Sequence, residues 1–178
     1  MTTFDTKDAA RRHAWQTLTD RGAARFPYPV EGRIPNFDGA EAAAERLFEH
    51  PLFANVDCIK VNPDSPQKYV RQQAFRHDIT VFVPTPRLKG GFMRFDPAEI
   101  PEEHYADASM LSRWEPWAEA VELEALPQVD VIVAGCVAVT RDGRRCGKGE
   151  GYSDLEFAIL RELDHTPAPV VTTVHPIQ

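Results

Sequence analysis

Glycine and charge are concentrated in one segment of the chain, residues 144–160, which reads RRCGKGEGYSDLEFAIL. Ser153 is followed three residues later by Glu156, which matches the capping-box pattern, so we expect Ser153 to be the N-cap of a helix. The start of that helix would offer unpaired N–H groups and a partial positive charge to an anion. Arg145 and Lys148 would add full positive charges. The segment could therefore hold a phosphate group.

The same glycines also have a purely structural interpretation. Gly147, Gly149 and Gly151 could serve only to turn the chain between a strand and a helix. Their spacing matches neither the Walker pattern nor the dinucleotide-binding GxGxxG pattern. The segment on its own leaves both interpretations open.

The composition of the whole chain is that of a folded globular protein. Its 178 residues fit a single domain, and 43% of them are hydrophobic and 26% charged. A formal net charge of -7 argues against nucleic acid as a partner, although a local basic pocket for a small anion stays open. The sequence contains no signal-peptide pattern and no apolar run of the ~18 residues that a membrane span needs. We therefore expect a cytoplasmic protein without a membrane segment.

The three cysteines, Cys58, Cys136 and Cys146, form no CxxC pair, and the histidines show no metal-ligand spacing. Reduced thiols are the expected state.

The elements that would position the glycine segment alternate along the chain. Helices are predicted from capping residues and helical spacing over residues 6–21, 40–49, 67–76 and 154–163. Strands are predicted from apolar and β-branched runs over residues 56–61, 79–83, 92–95, 129–140 and 169–174. This alternation predicts an α/β domain, a three-layer α/β/α sandwich around a largely parallel sheet.

Capping residues can be predicted for two of these helices. Thr6 or Asp5 should cap the first helix. Ser65, followed by Pro66, should cap the third helix.

The turn between the first strand and the third helix is a second place where chemistry could occur. Ligand sites of α/β proteins usually form after the carboxyl ends of strands, so Asn62 and Asp64 could line a cleft there. Lys60 and Arg71 are further candidates from the same segment. Asx turns and helix capping explain Asn62 and Asp64 equally well.

The glycine segment, with Arg145, the spaced glycines, Tyr152 and Asp154, resembles the signature of the 5-formyltetrahydrofolate cyclo-ligase family, also called methenyltetrahydrofolate synthetase. The resemblance is greatest to the branch of methenyltetrahydrofolate synthetase domain-containing proteins. It extends over nearly the whole chain and includes RIPNFDGAEAAAERL (33–47), KVNPDSPQKYVRQQAF (60–75), VPTPRL (83–88) and the run from 129 to 160.

The resemblance implies a fold of the NagB/RpiA/CoA transferase-like type and an ATP-dependent ring closure. In that reaction 5-formyltetrahydrofolate becomes 5,10-methenyltetrahydrofolate, and ADP and phosphate are released. The formyl oxygen would attack the γ-phosphate, N10 would close the ring and phosphate would leave. The expected ligands are ATP, Mg²⁺ and a reduced folate, and catalysis would rest on alignment and positive charge.

The resemblance also implies site residues. Those for ATP are Lys7, Arg11, Arg145, Gly147, Lys148, Gly149, Gly151 and Tyr152. Arg145, Lys148 and Tyr152 would be catalytic, and Asp154 would be a metal ligand. Lys7 and Arg11 could instead be a solvated helix face, and Asp154 could serve only the helix dipole.

For the folate, the resemblance points to Met93 and Phe95. A methionine and an aromatic residue at this spacing are also typical of an ordinary core. Tyr152 could face the folate rather than ATP.

The chain departs from the cyclo-ligase pattern at two positions of the glycine segment. Glu150 stands where cyclo-ligases have a glycine, and Ser153 where they have a second tyrosine. Family members usually continue with a further segment, so we expect residues 1–178 to be one cyclo-ligase-like domain without it. Two alternatives to ring closure stay open: a non-catalytic nucleotide- or folate-binding protein, and an ATP-dependent enzyme acting on another small molecule.

Overall fold

Helices and short strands alternate through residues 4–85 and 91–178, the part of the chain that the computed structural model describes. The helices are α1 (Lys7–Asp20), α2 (Ala40–Phe48), α3 (Lys68–Arg76), α4 (Tyr105–Ala108) and α5 (Tyr152–Glu162). The strands are β1 (Ala24–Arg25), β2 (Asn36–Phe37), β3 (Cys58–Val61), β4 (Thr80–Pro84), β5 (Phe92–Phe95), β6 (Glu119–Val121), β7 (Val131–Val133), β8 (Ala138–Val139), β9 (Arg145–Cys146) and β10 (Val170–Val171).

A six-stranded sheet forms the centre of the molecule, in the order β10-β7-β3-β4-β5-β6. Strands β10, β7, β3 and β4 are parallel, whereas β5 is antiparallel to both of its neighbours. Helices flank the sheet, so the predicted α/β class with a mostly parallel sheet and three layers is confirmed. Within the described residues, no helix is long and apolar enough to span a bilayer.

The two faces of the sheet differ in what they bury. Alternate residues of β3, β4 and β7 pack with α2 and α3 into the main core, because successive side chains of a strand point to opposite faces. On the opposite face, Phe82 and Ile132 pack with Leu160 of α5. Lys60 is level with both Phe82 and Ile132 in the strand register, so a charged residue stands in the middle of this second face.

A separate core holds α1 to the molecule. Ala14, Trp15 and Leu18 lie on one side of α1 and pack against a cluster that includes Phe37 and Val137. The indole N–H of Trp15 also donates to a backbone carbonyl of the loop before β2. The first helix is therefore fixed beside the chain that follows β7.

Two predicted caps are wrong, and one is confirmed. The Thr6 hydroxyl accepts from the Ala9 amide at 3.1 Å and caps α1. Helix α5 begins two residues earlier than predicted because Gly151, with φ 76°, is its N-cap, so Ser153 lies inside the helix. Ser65 begins a 3₁₀ turn that precedes α3, and the N-cap of that turn is Asp64.

The predicted strand over 129–140 is too long. Only Val131–Val133 joins the sheet, because the chain then turns away at Ala134 and Gly135. Ala134, Cys136 and Val137 are buried as loop, and Ala138–Val139 forms β8, which pairs with β9 in a separate sheet. The apolar run is long because it covers a strand, a buried loop and a second short strand. The three cysteines are free, as predicted, and residues 86–88 of the VPTPRL segment lie outside the described residues.

Candidate functional site

A cleft of about 1080 Å³ opens at the carboxyl ends of β3, β4 and β7. Asn62 and Asp64 follow β3, Thr85 follows β4 and Gly135 follows β7, and all four residues line the cleft. Neighbouring parallel strands end at the same edge of a sheet, which is where α/β folds bind ligands. The position predicted for the turn after the first strand therefore coincides with a real cavity.

The glycine segment forms one wall of this cleft. Gly149 has φ 107° and Gly151 has φ 76°, backbone conformations that residues with a Cβ rarely adopt. A Cβ on Gly149 would lie 3.5 Å from the Arg11 guanidinium, so the segment passes close to α1. Glycine at these positions lets the backbone take this path.

Helix α1 provides a further wall and is bonded to the glycine segment. The Nε of Arg11 donates to the carbonyl of Gly147 at 2.6 Å, and Arg11 is also ion-paired with Asp8. Lys7 lines the same cleft one turn earlier. The basic face of α1 is therefore part of the cavity lining and not only a solvated surface.

The residues predicted for ATP and metal lie together in this cleft. Its lining includes Lys7, Arg11, Arg145, Gly147, Lys148, Gly149, Gly151, Tyr152 and Asp154. Within the described residues, no side chain caps the first turn of α5, so the partial positive charge of the helix start adds to these cations.

One carboxylate opposes this positive charge. Glu150 forms an ion pair with Lys148 at 2.9 Å, and both side chains are partly exposed. Because the pair is exposed to solvent, it is weak enough to exchange for a stronger anion. Glu150 therefore lowers the positive potential of the segment without blocking it.

A buried polar cluster lies at the floor of the cleft, where Asn62 and Glu156 line it, and extends to Lys60, which lines a neighbouring cavity. Lys60 is 1% exposed and Glu156 is 3% exposed, and the two form an ion pair. The Asn62 side chain accepts from Lys60 Nζ and donates to Glu156, each at 3.3 Å. Burial lowers the pKa of Lys60, and the charge of Glu156 opposes this shift.

A second buried cation stands beside the cluster. Arg71, on α3, donates to the carbonyls of Asn62 at 2.6 Å and Ser109 at 2.8 Å. Burial lowers the pKa of Arg71 to about 9, and nearby Asp64 opposes the shift, so Arg71 is charged at neutral pH. Burial also raises the pKa of Asp64, against the effect of the charges of Lys148 and Arg71.

Gly135 packs closely against Ile34, Asp64 and Asn62 at the floor of the cleft. A Cβ there would lie 2.9 Å from the Ile34 side chain and 3.0 Å from the Asp64 carboxylate. The Gly135 amide donates to the Asn62 side chain at 3.3 Å. Only glycine fits this point without moving the cleft lining.

Apolar side chains form another part of the lining. They come from the proline-rich loop before β2 and from the segment after α4, and comprise Phe26, Pro27, Ile34, Met110 and Leu111. Phe26 is 76% exposed although it is a large aromatic residue. The cleft therefore combines a cationic region with an apolar one.

The residues predicted for the folate lie elsewhere. Phe95 is fully buried, and its ring contacts those of Phe75 and Trp114 in the main core. Met93 packs against the same core. Neither residue is among those that line the cleft. Their role in folate binding stays a prediction that this placement does not support.

Residues 4–85 and 91–178 contain no cluster of three or more His, Cys, Asp or Glu side chains that could hold a metal ion. A metal site built from side chains alone is therefore not supported in these residues. Asp154 lines the cleft as an exposed carboxylate. Mg²⁺ usually needs only one or two protein carboxylates when phosphate oxygens and water complete its shell. The role of Asp154 as a metal ligand stays a prediction.

The sequence patterns do not predict that Glu156 is the partner of Lys60. They predict a capping role for Glu156, whereas its side chain forms an ion pair with Lys60 in the sheet. One signal was present: Glu156 lies four residues before the buried Leu160 and so shares its helix face. The corresponding signal in β3 is Lys60, a charged residue within an apolar strand, which needs a partner when it is buried.

A model of the 5-formyltetrahydrofolate cyclo-ligase family matches residues 5–178. Among curated proteins, the methenyltetrahydrofolate synthase domain-containing protein of Bos taurus is 38% identical over 176 residues, which cover 97% of this chain and 46% of that protein. The protein of the same name from Mus musculus is also 38% identical over 176 residues, covering 97% and 47%. That from Danio rerio is 35% identical over 178 residues, covering 98% and 47%. The chain spans about half the length of these relatives.

Proposed function

The chain belongs to the 5-formyltetrahydrofolate cyclo-ligase family, and from this membership we propose that it converts 5-formyltetrahydrofolate to 5,10-methenyltetrahydrofolate, using ATP and releasing ADP and phosphate. One observation carries the proposal. Within the described part of the chain, seven Lys and Arg side chains, among them Lys7, Arg11, Arg145 and Lys148, line the same cleft as a set of apolar side chains and the uncapped start of α5. Such a cleft suits a triphosphate beside a flat, largely apolar second substrate.

The lining fits a polyphosphate. Apart from Gly151 and its two chain neighbours, no described residue has an atom within 4 Å of the position that a Cβ on Gly151 would take, so there is open space at the start of α5. Arg145 and Lys148 would hold the phosphates together with the backbone amides of the first turn, and Lys7 and Arg11 would hold them from α1. Asp154 and water would complete the shell of Mg²⁺.

Catalysis would rest on alignment and charge. ATP with Mg²⁺ supplies the phosphoryl group that turns the formyl oxygen into a leaving group. Arg145 and Lys148 would stabilise the negative charge that develops on the transferring group. Tyr152, at the first position of α5, lines the same cleft and would orient the substrate.

The folate would lie against the apolar lining. Phe26 offers an exposed aromatic ring on which a flat ring system can stack. Met110 and Leu111 would cover its other side, since both line the same cleft. In this proposal, these residues take the role that the family resemblance implied for Met93 and Phe95.

The direct test follows formation of methenyltetrahydrofolate by absorbance. Purified protein is mixed with 5-formyltetrahydrofolate, ATP and Mg²⁺, and the control reactions omit ATP or Mg²⁺. We expect product only in the complete mixture. Absence of product with folded protein at high enzyme concentration would contradict ring closure.

A binding protein without turnover is the second candidate, and the ion pair between Lys148 and Glu150 favours it. A carboxylate beside the phosphates adds like charge, which opposes the transition state as well as binding. The variant Glu150→Gln separates the two candidates. An inactive wild-type protein that gains turnover in this variant would identify Glu150 as the element that suppresses catalysis.

A further inference from the structure

Helix α5 has few buried contacts with the sheet that it covers. Of its 11 residues, the buried ones are Glu156 and Leu160. A cavity of about 410 Å³ lies between α5 and strands β7 and β10, and Ile132, Phe157 and Val171 are among its lining residues. Apolar packing alone therefore leaves the position of the helix poorly defined.

The ion pair supplies the missing constraint. Lys60 is in the middle of the sheet face that α5 covers, and its Nζ is bonded to Glu156 one turn before Leu160. Asn62 bonds to both members of the pair and accepts from the Gly135 amide at 3.3 Å. These bonds are directional, so they fix the helix along its axis and connect it to the floor of the cleft.

We propose that Lys60 and Glu156 are a positioning pair that holds the start of α5 and the glycine segment where they receive the phosphates, while Lys60 itself does not bind the nucleotide. This inference rests on the proposed function for its ligand. Lys60 is already paired and buried, so it is poorly placed to serve as a phosphate ligand. A hydrogen-bonded charged pair can specify one arrangement where an apolar pair would allow several.

The first test asks whether a substitution at Glu156 strengthens or weakens ATP binding. Glu156→Gln removes a negative charge beside the cleft, as does the matched control Glu150→Gln. If charge alone matters, both variants bind ATP more tightly. Positioning predicts that Glu156→Gln weakens ATP binding by about 10- to 100-fold, since displacing a site by 1 Å can cost that much, while Glu150→Gln does not weaken it. Calorimetric titration with ATP measures both, and tighter binding by Glu156→Gln would overturn the proposal.

The second test removes both charges. The double variant Lys60→Met/Glu156→Met should fold, because an apolar pair of similar volume commonly replaces a buried ion pair without loss of stability. We expect its melting temperature to stay near that of the wild type while its ATP affinity falls by about tenfold or more. Wild-type affinity in the folded double variant would show that the pair serves packing only, and would overturn the proposal.

A third measurement needs no nucleotide. In both variants, the amides of residues 155–159, which are hydrogen-bonded at the start of α5, should exchange with deuterium faster than in the wild type, whereas those of α1 should not change. If wild-type protein binds no ATP, the proposed function fails, and the exchange rates still decide the positioning role. Unchanged exchange at residues 155–159 would overturn it.

Discussion

At the scale of single residues, Arg145 and Arg144 are neighbours with different surroundings. Arg145 is partly buried and lines the cleft, whereas Arg144 is exposed and ion-paired with Asp142 at 3.0 Å. Adjacent residues of an extended segment point in opposite directions, which explains the difference. The two arginines thus form a matched pair for mutagenesis.

We expect Arg145→Ala to lower turnover by about 10- to 1000-fold, as is typical for loss of one preorganised charge, and Arg144→Ala to leave turnover unchanged. Lys148→Ala should raise the KM for ATP, because its ammonium lies at the proposed phosphate position. Steady-state kinetics with varied ATP measures all three variants. Similar losses from Arg144→Ala and Arg145→Ala would contradict the assignment of Arg145 to the site.

The sequence predicted the residues of the cleft, including Asn62 and Asp64 of its floor, far better than the pairing of Lys60 with Glu156. Arg145 and Lys148 belong to one contiguous signature, so a local pattern is enough to find them. The pairing of Lys60 with Glu156 joins residues 96 positions apart in the chain. It depends on how α5 lies on the sheet, which no local pattern contains.

At the scale of elements, Arg71 connects α3 to two loops. Its guanidinium donates to the carbonyls of Asn62, after β3, and Ser109, after α4. Arg76 lies on the same helix and is exposed to solvent. The same residue type therefore occurs once as a buried cross-link and once as a surface group.

We expect Arg71→Ala to lower the free energy of unfolding by about 3 to 5 kcal/mol, because it leaves buried carbonyls without donors and creates a cavity. The control Arg76→Ala should change it by no more than about 0.5 kcal/mol. Urea unfolding followed by circular dichroism measures both. Equal losses in the two variants would contradict a buried cross-link at Arg71.

The limits of prediction at this scale are seen in β7 and α5. Apolar residues continue past Val133 because Cys136 and Val137 are buried in a loop, and composition does not distinguish that loop from a strand. The sequence predicts the start of α5 two residues too late, because Gly151 in a left-handed conformation is the N-cap, although serine is the commoner capping residue. Strand β5 was predicted with its observed bounds, since turn-forming residues precede it (Gly91) and follow it (Asp96 and Pro97) in the sequence.

At the scale of the whole molecule, a protein with a negative net charge contains a cleft lined by many cationic side chains. The formal net charge is -7, yet Lys7, Arg11, Arg145 and Lys148 line one cavity. The excess of acidic side chains must therefore lie mostly outside this cleft. Such a distribution attracts a small polyanion locally while the protein as a whole repels long polyanions.

Binding of either ligand should stabilise the whole molecule. A ligand at 100 times its Kd adds about 2.7 kcal/mol, which for a protein of this size corresponds to a rise in Tm of roughly 5 to 11 °C. We expect such shifts with ATP and with 5-formyltetrahydrofolate in a thermal melt, including in a protein that binds without turnover. A melt that neither ligand moves would favour an enzyme for another small molecule.

The bond between Arg11 and Gly147 joins residues 136 positions apart, and so ties the assembly of the site to the synthesis of the chain. At ~5 to 20 residues per second, a ribosome needs roughly 7 to 27 seconds to pass from one residue to the other. During that interval the residues of α1 have been synthesised, but Val137 of its core and the glycine segment have not. A nascent chain therefore carries the basic residues of α1 before the glycine segment that completes the cleft has been made.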